Sequence, residues 1–422
     1  MRKLRFFSLL ISMILIMASI VGCVSPASTS PNLASAADLM VGVNSNRVSG
    51  KSASDEFIAN MADFSIDLFK RSITANKNSL ISPLSVTLAL AMTANGADNE
   101  TLSQMEALLG GDIPLDDLNE YLKAYVTALP SLEKSKLSIA NSIWFRNENE
   151  RLSVLPTFLQ KNADYYDAAV YSAAFDSQTV KDINNWVSTS TDGMINKILD
   201  EISDIHLMFL INAVVFDAEW LHVYDKSNVK DGIFTDVLGN NGIIDFMHST
   251  EYNYLYDDTA TGFIKAYAGG AYSFAALLPN YDVPIDIYIE SLTGEKFMSI
   301  IGNASNETVF TSMPKFEFDY DISMINALSD LGMPDAFKDD KADFSKMAIT
   351  ADDVLYISNV LHKTYISVDE LGTRAGAVTM VAMAGTGAAL DPKVVNLDRP
   401  FVFAIIDNST NLPIFIGTLM MV

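Results

Sequence analysis

The chain has 422 residues, 49% of them hydrophobic and 19% charged, which is enough apolar material for a large core and a length beyond the usual single-domain range. Its 52 acidic against 28 basic residues give a formal charge of -24, which argues against nucleic acid or another polyanion as partner. A single cysteine excludes an internal disulfide, so the fold must rest on packing.

Arg2, Lys3 and Arg5 precede an apolar stretch over 6–21 that ends in Ile20-Val21-Gly22-Cys23. The stretch is shorter than the ~20 residues of a membrane-spanning helix, so 1–22 reads as an export signal. Its end resembles a bacterial lipoprotein cleavage site, which implies lipidation of Cys23 and a membrane partner through that anchor. Two acyl chains suffice for stable anchoring where one is marginal. Segment 24–51 is rich in Ser, Ala, Asn and Pro and lacks periodicity, so 23–53 reads as lipidated Cys plus flexible tether. Structured protein is expected from Ser54, where Phe57, Met61, Phe64 and Leu68 form one helical stripe.

Further along, Ser82 is a good N-cap, Pro83 suits the first helical position and Gly96 can end the run. Ser131-Leu132-Glu133-Lys134 spells S-x-x-K, but its S-D-N and K-T-G partners are missing, so it reads as a helix flank. No G-x-S-x-G, G-x-x-x-x-G-K-[ST] or H-E-x-x-H occurs, and His206, His222, His248 and His362 lack metal-ligand spacing. Neither catalysis nor a metal or cofactor is expected.

Segment 368–390 holds the most information. It has no large aromatic, no proline and, after Glu370, the single charge of Arg374. Read as a strand, one face carries Thr373, Ala375, Ala377, Thr379, Val381 and Met383, and the other carries Arg374, Gly376, Val378 and Met380. The first face is small and uncharged, able to slide between existing strands, yet the segment is too glycine-rich to hold a strand alone.

Glu370, Gly372, Thr373, Ala375, Gly376, Ala377 and Thr379 resemble the hinge of an inhibitory serpin's reactive-centre loop. Downstream, Arg399-Pro400-Phe401-Val402-Phe403 and Leu412-Pro413-Ile414-Phe415-Ile416-Gly417 continue the family pattern. Upstream, the matches are Asn78, Ser82-Pro83, Ser85, Leu88, Ala89, Met92, Gly96 and Ala97, then 137–145, 183–186, 210–220, Met313-Pro314-Lys315-Phe316 and Leu331-Gly332-Met333. They follow the family's order over nearly the whole chain. The resemblance implies one α+β domain over 54–422, with a large central mixed sheet, surrounding helices, smaller sheets and an exposed loop at about 370–395. It also implies that His362 shares a buried polar cluster, the shutter, with Ser82, Ser85 and Asn212, and that Trp220 lies at the breach atop the main sheet.

The implied function is suicide inhibition by a monomer: a protease attacks the loop, forms an acyl-enzyme and is trapped as the loop inserts into the sheet. Family spacing from Glu370 puts the scissile bond at Thr386-Gly387, whereas spacing back from Pro400 puts it at Ala389-Leu390, in a loop about three residues longer than usual. No candidate position offers a basic side chain, so elastase-like or subtilisin-like serine proteases fit better than trypsin-like ones, and papain-like cysteine proteases stay open. The hinge departs from the family at Leu371 and Arg374. A non-inhibitory binding module and a substrate-like decoy are the alternative functions.

Overall fold

A computed structural model describes residues 33–147, 152–351, 354–373 and 392–422. Helix α1 (Asp55–Arg71) starts where Ser54 accepts the amide of Phe57, carries Asp55 and Glu56 at its positive end and buries Phe57, Met61, Phe64 and Leu68. Strand β1 (Ala37–Asp38) precedes it, and β2 (Ser79–Ile81), α2 (Pro83–Ala94), α3 (Asn99–Gly110) and α4 (Leu115–Ala128) follow. Next come β3 (Ser135–Arg146), β4 (Leu152–Val154), α5 (Pro156–Tyr166), β5 (Ala169–Ala173), α6 (Ser177–Ser190) and β6 (Met208–Glu219). Strands β7 (Val229–Thr235), β8 (Asn241–Tyr256), β9 (Ala260–Ala266) and β10 (Tyr272–Pro279) lead to α7 (Ile285–Ser291) and α8 (Gly294–Gly302). The chain continues through β11 (Ser305–Pro314), β12 (Phe316–Ser323), α9 (Ile325–Asp330), β13 (Ala348–Thr350), β14 (Asn359–Val368) and β15 (Gly372–Thr373). Strands β16 (Lys393–Asn396), β17 (Phe401–Asp407) and β18 (Pro413–Leu419) come last.

Two large mixed sheets result. One has the order β1-β5-β3-β6-β15-β14-β12, and the other runs β16-β11-β8-β9-β10-β17-β18-β2 with β7 beside β8. Every residue of β10, β17 and β18 is buried, which accounts for their near-continuous apolar runs. Helix α2 is also buried on all sides, because it packs against β3 and β6 of the first sheet and β18 of the second. Ser82 caps it and Pro83 opens it as the sequence suggests, while its last helical residue is Ala94 and Asn95 is its C-cap, directly before Gly96. Residues 131–134 form a tight turn into β3, with Leu132 and Ser135 bridged, instead of flanking a helix directly.

The tether expectation needs correction over its described part, 33–53. The Asp182 carboxylate accepts the amides of Ala34, Ser35 and Ala36 at 3.0, 2.9 and 3.1 Å, and Ser35 Oγ at 3.0 Å. Strand β1 then pairs antiparallel with Ser172 and Tyr171 of β5, covering that edge of the sheet. Asn46 donates its amide to Asp164 at 2.6 Å, and Lys51 bonds Asp117 at 2.5 Å. The body supplies carboxylates that satisfy a backbone with no periodic pattern of its own. Burial acts to raise the Asp182 pKa, but these donors outweigh it and hold the carboxyl below its usual range. Segment 33–53 is therefore tied to the body ahead of Ser54.

Candidate functional site

The seven-stranded sheet is split lengthwise. Strands β6 and β14 run parallel and pair directly from Asn359↔Phe209 to Lys363↔Ala213. Above that level no ladder pair joins 214–217 of β6 to 364–367 of β14 among the described residues. At the top β15 stands between them: Thr373 pairs with Ala218 on one side and Val368 on the other, antiparallel to both. Each strand is anchored along its far edge, β6 to β3 and β14 to β12.

A tight turn delivers β15 into the gap. Asp369 Oδ1 accepts the amides of Leu371 and Gly372 at 2.8 and 3.2 Å, and the Asp369 amide returns to the Gly372 carbonyl at 3.0 Å. A Cβ on Gly372 would lie 2.0 Å from the Ala218 carbonyl oxygen, so only glycine lets the strand pass there. Trp220 reads the turn twice, donating its amide to Leu371 (2.8 Å) and its indole N–H to Asp369 (2.9 Å), while the Tyr224 amide donates to Glu370 at 2.9 Å. Thr373 is 2% exposed and points inward, its hydroxyl 2.5 Å from that of Tyr267, whose ring stacks on Trp220 at 4.6 Å. On the outside, Glu370 meets Lys315 at 2.6 Å. That bond is the main cause holding the Glu370 carboxyl below its usual range; for Lys315, burial pulls the pKa down but the carboxylate pushes it up further.

Lower down, below the split, lies a buried uncharged cluster. The Ser82 amide donates to His362 Nε2 at 3.1 Å. An amide can only donate, so Nε2 accepts and the ring proton sits on Nδ1, which donates to Asn212 Oδ1 at 2.5 Å. Asn212 Nδ2 then donates to Ser85 Oγ and Asn141 Oδ1, both at 2.6 Å. Burial alone lowers the His362 pKa to about 3, so the imidazole is neutral at ordinary pH.

The structure thus brings Ser82, Ser85, Asn212 and His362 into one cluster, and Glu370, Gly372, Thr373 and Trp220 into another. Ala375, Gly376, Ala377, Thr379, the bond candidates Thr386, Gly387, Ala389 and Leu390, and Cys23 lie outside the described residues. Sequence reasoning missed Asn141, Tyr267, Lys315 and Asp369. Asn141 and Lys315 stood inside matched segments without a role; only strand register, Asn141↔Asn212, and the fold of the turn reveal them. His206, His222 and His248 take no part in either cluster. Among the described residues no His, Cys, Asp and Glu group could hold a metal ion, and no helix is long and apolar enough to cross a membrane.

A mixed sheet opened at one end by the first residues of a loop defines the serpin class. Residues 59–422 match the family model described as serpin (serine protease inhibitor), and the chain belongs to the serpin family. An uncharacterised serpin-like protein of Thermococcus kodakarensis is 30% identical over 368 residues, covering 85% of this chain and 84% of that protein. Serpin B6 of Macaca fascicularis is 30% identical over 376 residues, covering 84% and 96%. Among solved structures, the thermophilic serpin tengpin in its native state is similar with a TM-score of 0.89 and 56% identity over 92% of this chain and 100% of that one. Tengpin in its latent state gives 0.79, with 53% identity over 88% and 100%. Membership places the chain among protease inhibitors, with a protease as its general partner.

Proposed function

We propose that this serpin inhibits its target by trapping, with the reactive loop inserting between β6 and β14. The observation that carries the reading is the split sheet with Thr373 already seated at its top. Continuing that register downward sets residue 374 against 217 and 367, and Thr379 between Asn212 and His362, the direct partners they now are to each other. Thr373 points inward, so alternation sends Ala375, Ala377 and Thr379 the same way and Arg374 to the opposite face. None of the inward side chains is bulky or charged, so none obstructs insertion.

The protease's nucleophilic oxygen attacks the carbonyl carbon of Thr386 or Ala389. The bond to the nitrogen of Gly387 or Leu390 breaks, that nitrogen leaves protonated by the protease's own acid, and the acyl part stays esterified to the enzyme. The freed segment then zips down the gap. Nine residues reaching the foot of the paired region span about 30 Å, and net hydrogen-bond gains of ~0.5 to 1.5 kcal/mol each sum to the order of 10 kcal/mol. Uncharged loop residues favour elastase-like or subtilisin-like serine proteases. The family's inhibitors among the relatives support the general activity; the target class rests on loop composition.

We further propose that the chain is bacterial, exported, anchored through lipid on Cys23 and monomeric. The basic start, the apolar stretch and Gly22-Cys23 support the anchor, and Cys23→Ser should release the protein from the membrane fraction. For the inhibitory reading, the chain from Val24 is mixed with pancreatic elastase and with subtilisin and followed by denaturing electrophoresis and intact mass. A covalent complex with a released C-terminal peptide is expected. Thr373→Arg should turn trapping into simple cleavage; trapping by that variant would refute insertion. Loop-cleaved protein should melt more than about 10 °C above intact protein, and equal melting would count against a metastable native state.

A further inference from the structure

Strand β16 continues from the reactive-loop segment into an outward face that trapping as proposed above does not use. Val394 of β16 stands beside Phe310 of β11, which stands beside Thr250 of β8. The bulge opposite Tyr252 is in β11, so side chains alternate regularly along β8 and Thr250, Tyr252, Tyr254 and Tyr256 share this face. Val394, Tyr252, Tyr256 and Phe310 are 60, 59, 57 and 47% exposed. Tyr254 stacks on Tyr256 at 5.6 Å, and Lys393 Nζ lies 5.8 Å from the Tyr254 ring and 3.4 Å from Glu307 at the rim. No residue of the strip itself is acidic, on a chain with 52 acidic residues. Clustered exposed Tyr and Phe with charge confined to the rim is the composition of an interface core.

We infer that this strip is an exosite for the body of the protease that attacks the loop, an inference that rests on the function proposed above. The occupant follows from chain length. Leu390 lies four residues and Thr386 eight residues before Val394, so the cut bond stands at most about 14 or 29 Å from the strip. A globular protease of about 270 residues has a radius of gyration of about 18 Å. Such a body, with the loop in its active site, is large enough to reach strands β16, β11 and β8 whichever bond it cuts. The strip offers that body aromatic and aliphatic contact that a free loop peptide lacks.

The test compares the full chain with a Phe310→Thr/Val394→Thr/Tyr252→Thr variant, all exposed β positions where threonine keeps strand propensity. Ile205→Thr is the control, 70% exposed just before the end of β6 remote from Thr373. The readout is the second-order rate of total loop attack, trapped plus cleaved, by subtilisin and by pancreatic elastase, together with sedimentation velocity. The triple variant should lose about tenfold in rate with at least one enzyme while the trapped fraction stays constant, and the control should stay within about twofold. Equal rates for triple variant and parent with both enzymes would overturn the inference alone. Equal rates with an altered sedimentation profile would overturn it in favour of a second copy of this chain. A tenfold loss in a reaction that yields only cleaved product would keep the exosite and reject trapping. No attack by either enzyme would overturn both the inference and the protease class on which it rests.

Discussion

The top and the middle of the same gap are closed by different chemistry. At the top, Glu370 and Lys315 form an accessible ion pair, and the turn hangs on Trp220, Tyr224 and Tyr267. In the middle, Ser82, Ser85, Asn212 and His362, with the half-buried Asn141 at their margin, form a wholly neutral set, and the four buried members have no bulk water to replace a lost partner. An exposed pair contributes little and is screened by salt, whereas a buried polar atom left unpaired costs its full desolvation. The top is therefore the easy end to open, and the middle opens only when each hydrogen bond finds a replacement. In the proposed insertion a strand carrying Thr379 would bring a hydroxyl and backbone groups to that level, which would make the middle selective for the chain's own loop.

Removing a middle partner should have the largest effect on stability. Asn212→Ala leaves His362 Nδ1 and the Ser85 hydroxyl short of a partner and should cost about 3 kcal/mol, read as a lower melting temperature; a loss no larger than that of a top variant would erase the contrast. Acid comes next. The unfolded imidazole takes up a proton below its ordinary 6.5 while the folded one waits until about 3, so stability should fall as pH drops through 6.5. About 2 kcal/mol should be gone by pH 5, and His362→Gln should flatten most of that slope. Glu370 behaves oppositely in range: its depressed pKa gives stability that is present above its ordinary pKa and lost only as pH falls through the lowered value. Mild acid should thus loosen the middle before the top. Trp220→Phe, which deletes the indole donor to Asp369 but keeps an aromatic ring, should cost about 1 kcal/mol and raise amide exchange at Leu371 and Gly372. Lys315→Met should cost roughly 0.5 kcal/mol or less, shrinking further in high salt; a salt-independent loss above that of Asn212→Ala would reverse the comparison.

What was legible in the sequence were the features whose cause is local. Ser82-Pro83 announces a helix start, and the Phe57, Met61, Phe64 and Leu68 stripe announces a buried face, because cap chemistry and periodicity act within a few residues. The polar cluster and the hinge were legible only through resemblance, since the sequence alone does not place His362 beside Ser82, 280 residues away. Segment 33–53 was misread for the same reason: composition describes the segment, while its order comes from Asp182 and Asp164, more than 100 residues downstream. Nothing in the sequence singles out Tyr267, a core residue whose hydroxyl meets that of Thr373 only once the fold brings them together.

The clasp of Asp182 on residues 34–36 also bears on the reach that the proposed lipid anchor would give this protein. With the proposed lipid anchor at Cys23, Leu33 lies ten residues beyond the anchor, a contour length of at most about 36 Å. A tether free to residue 53 would have allowed roughly three times that. The difference is one of clearance: were the proposed anchor in place, the body would be held within about 36 Å of it, and a protease would have to come to the cell surface to meet the loop.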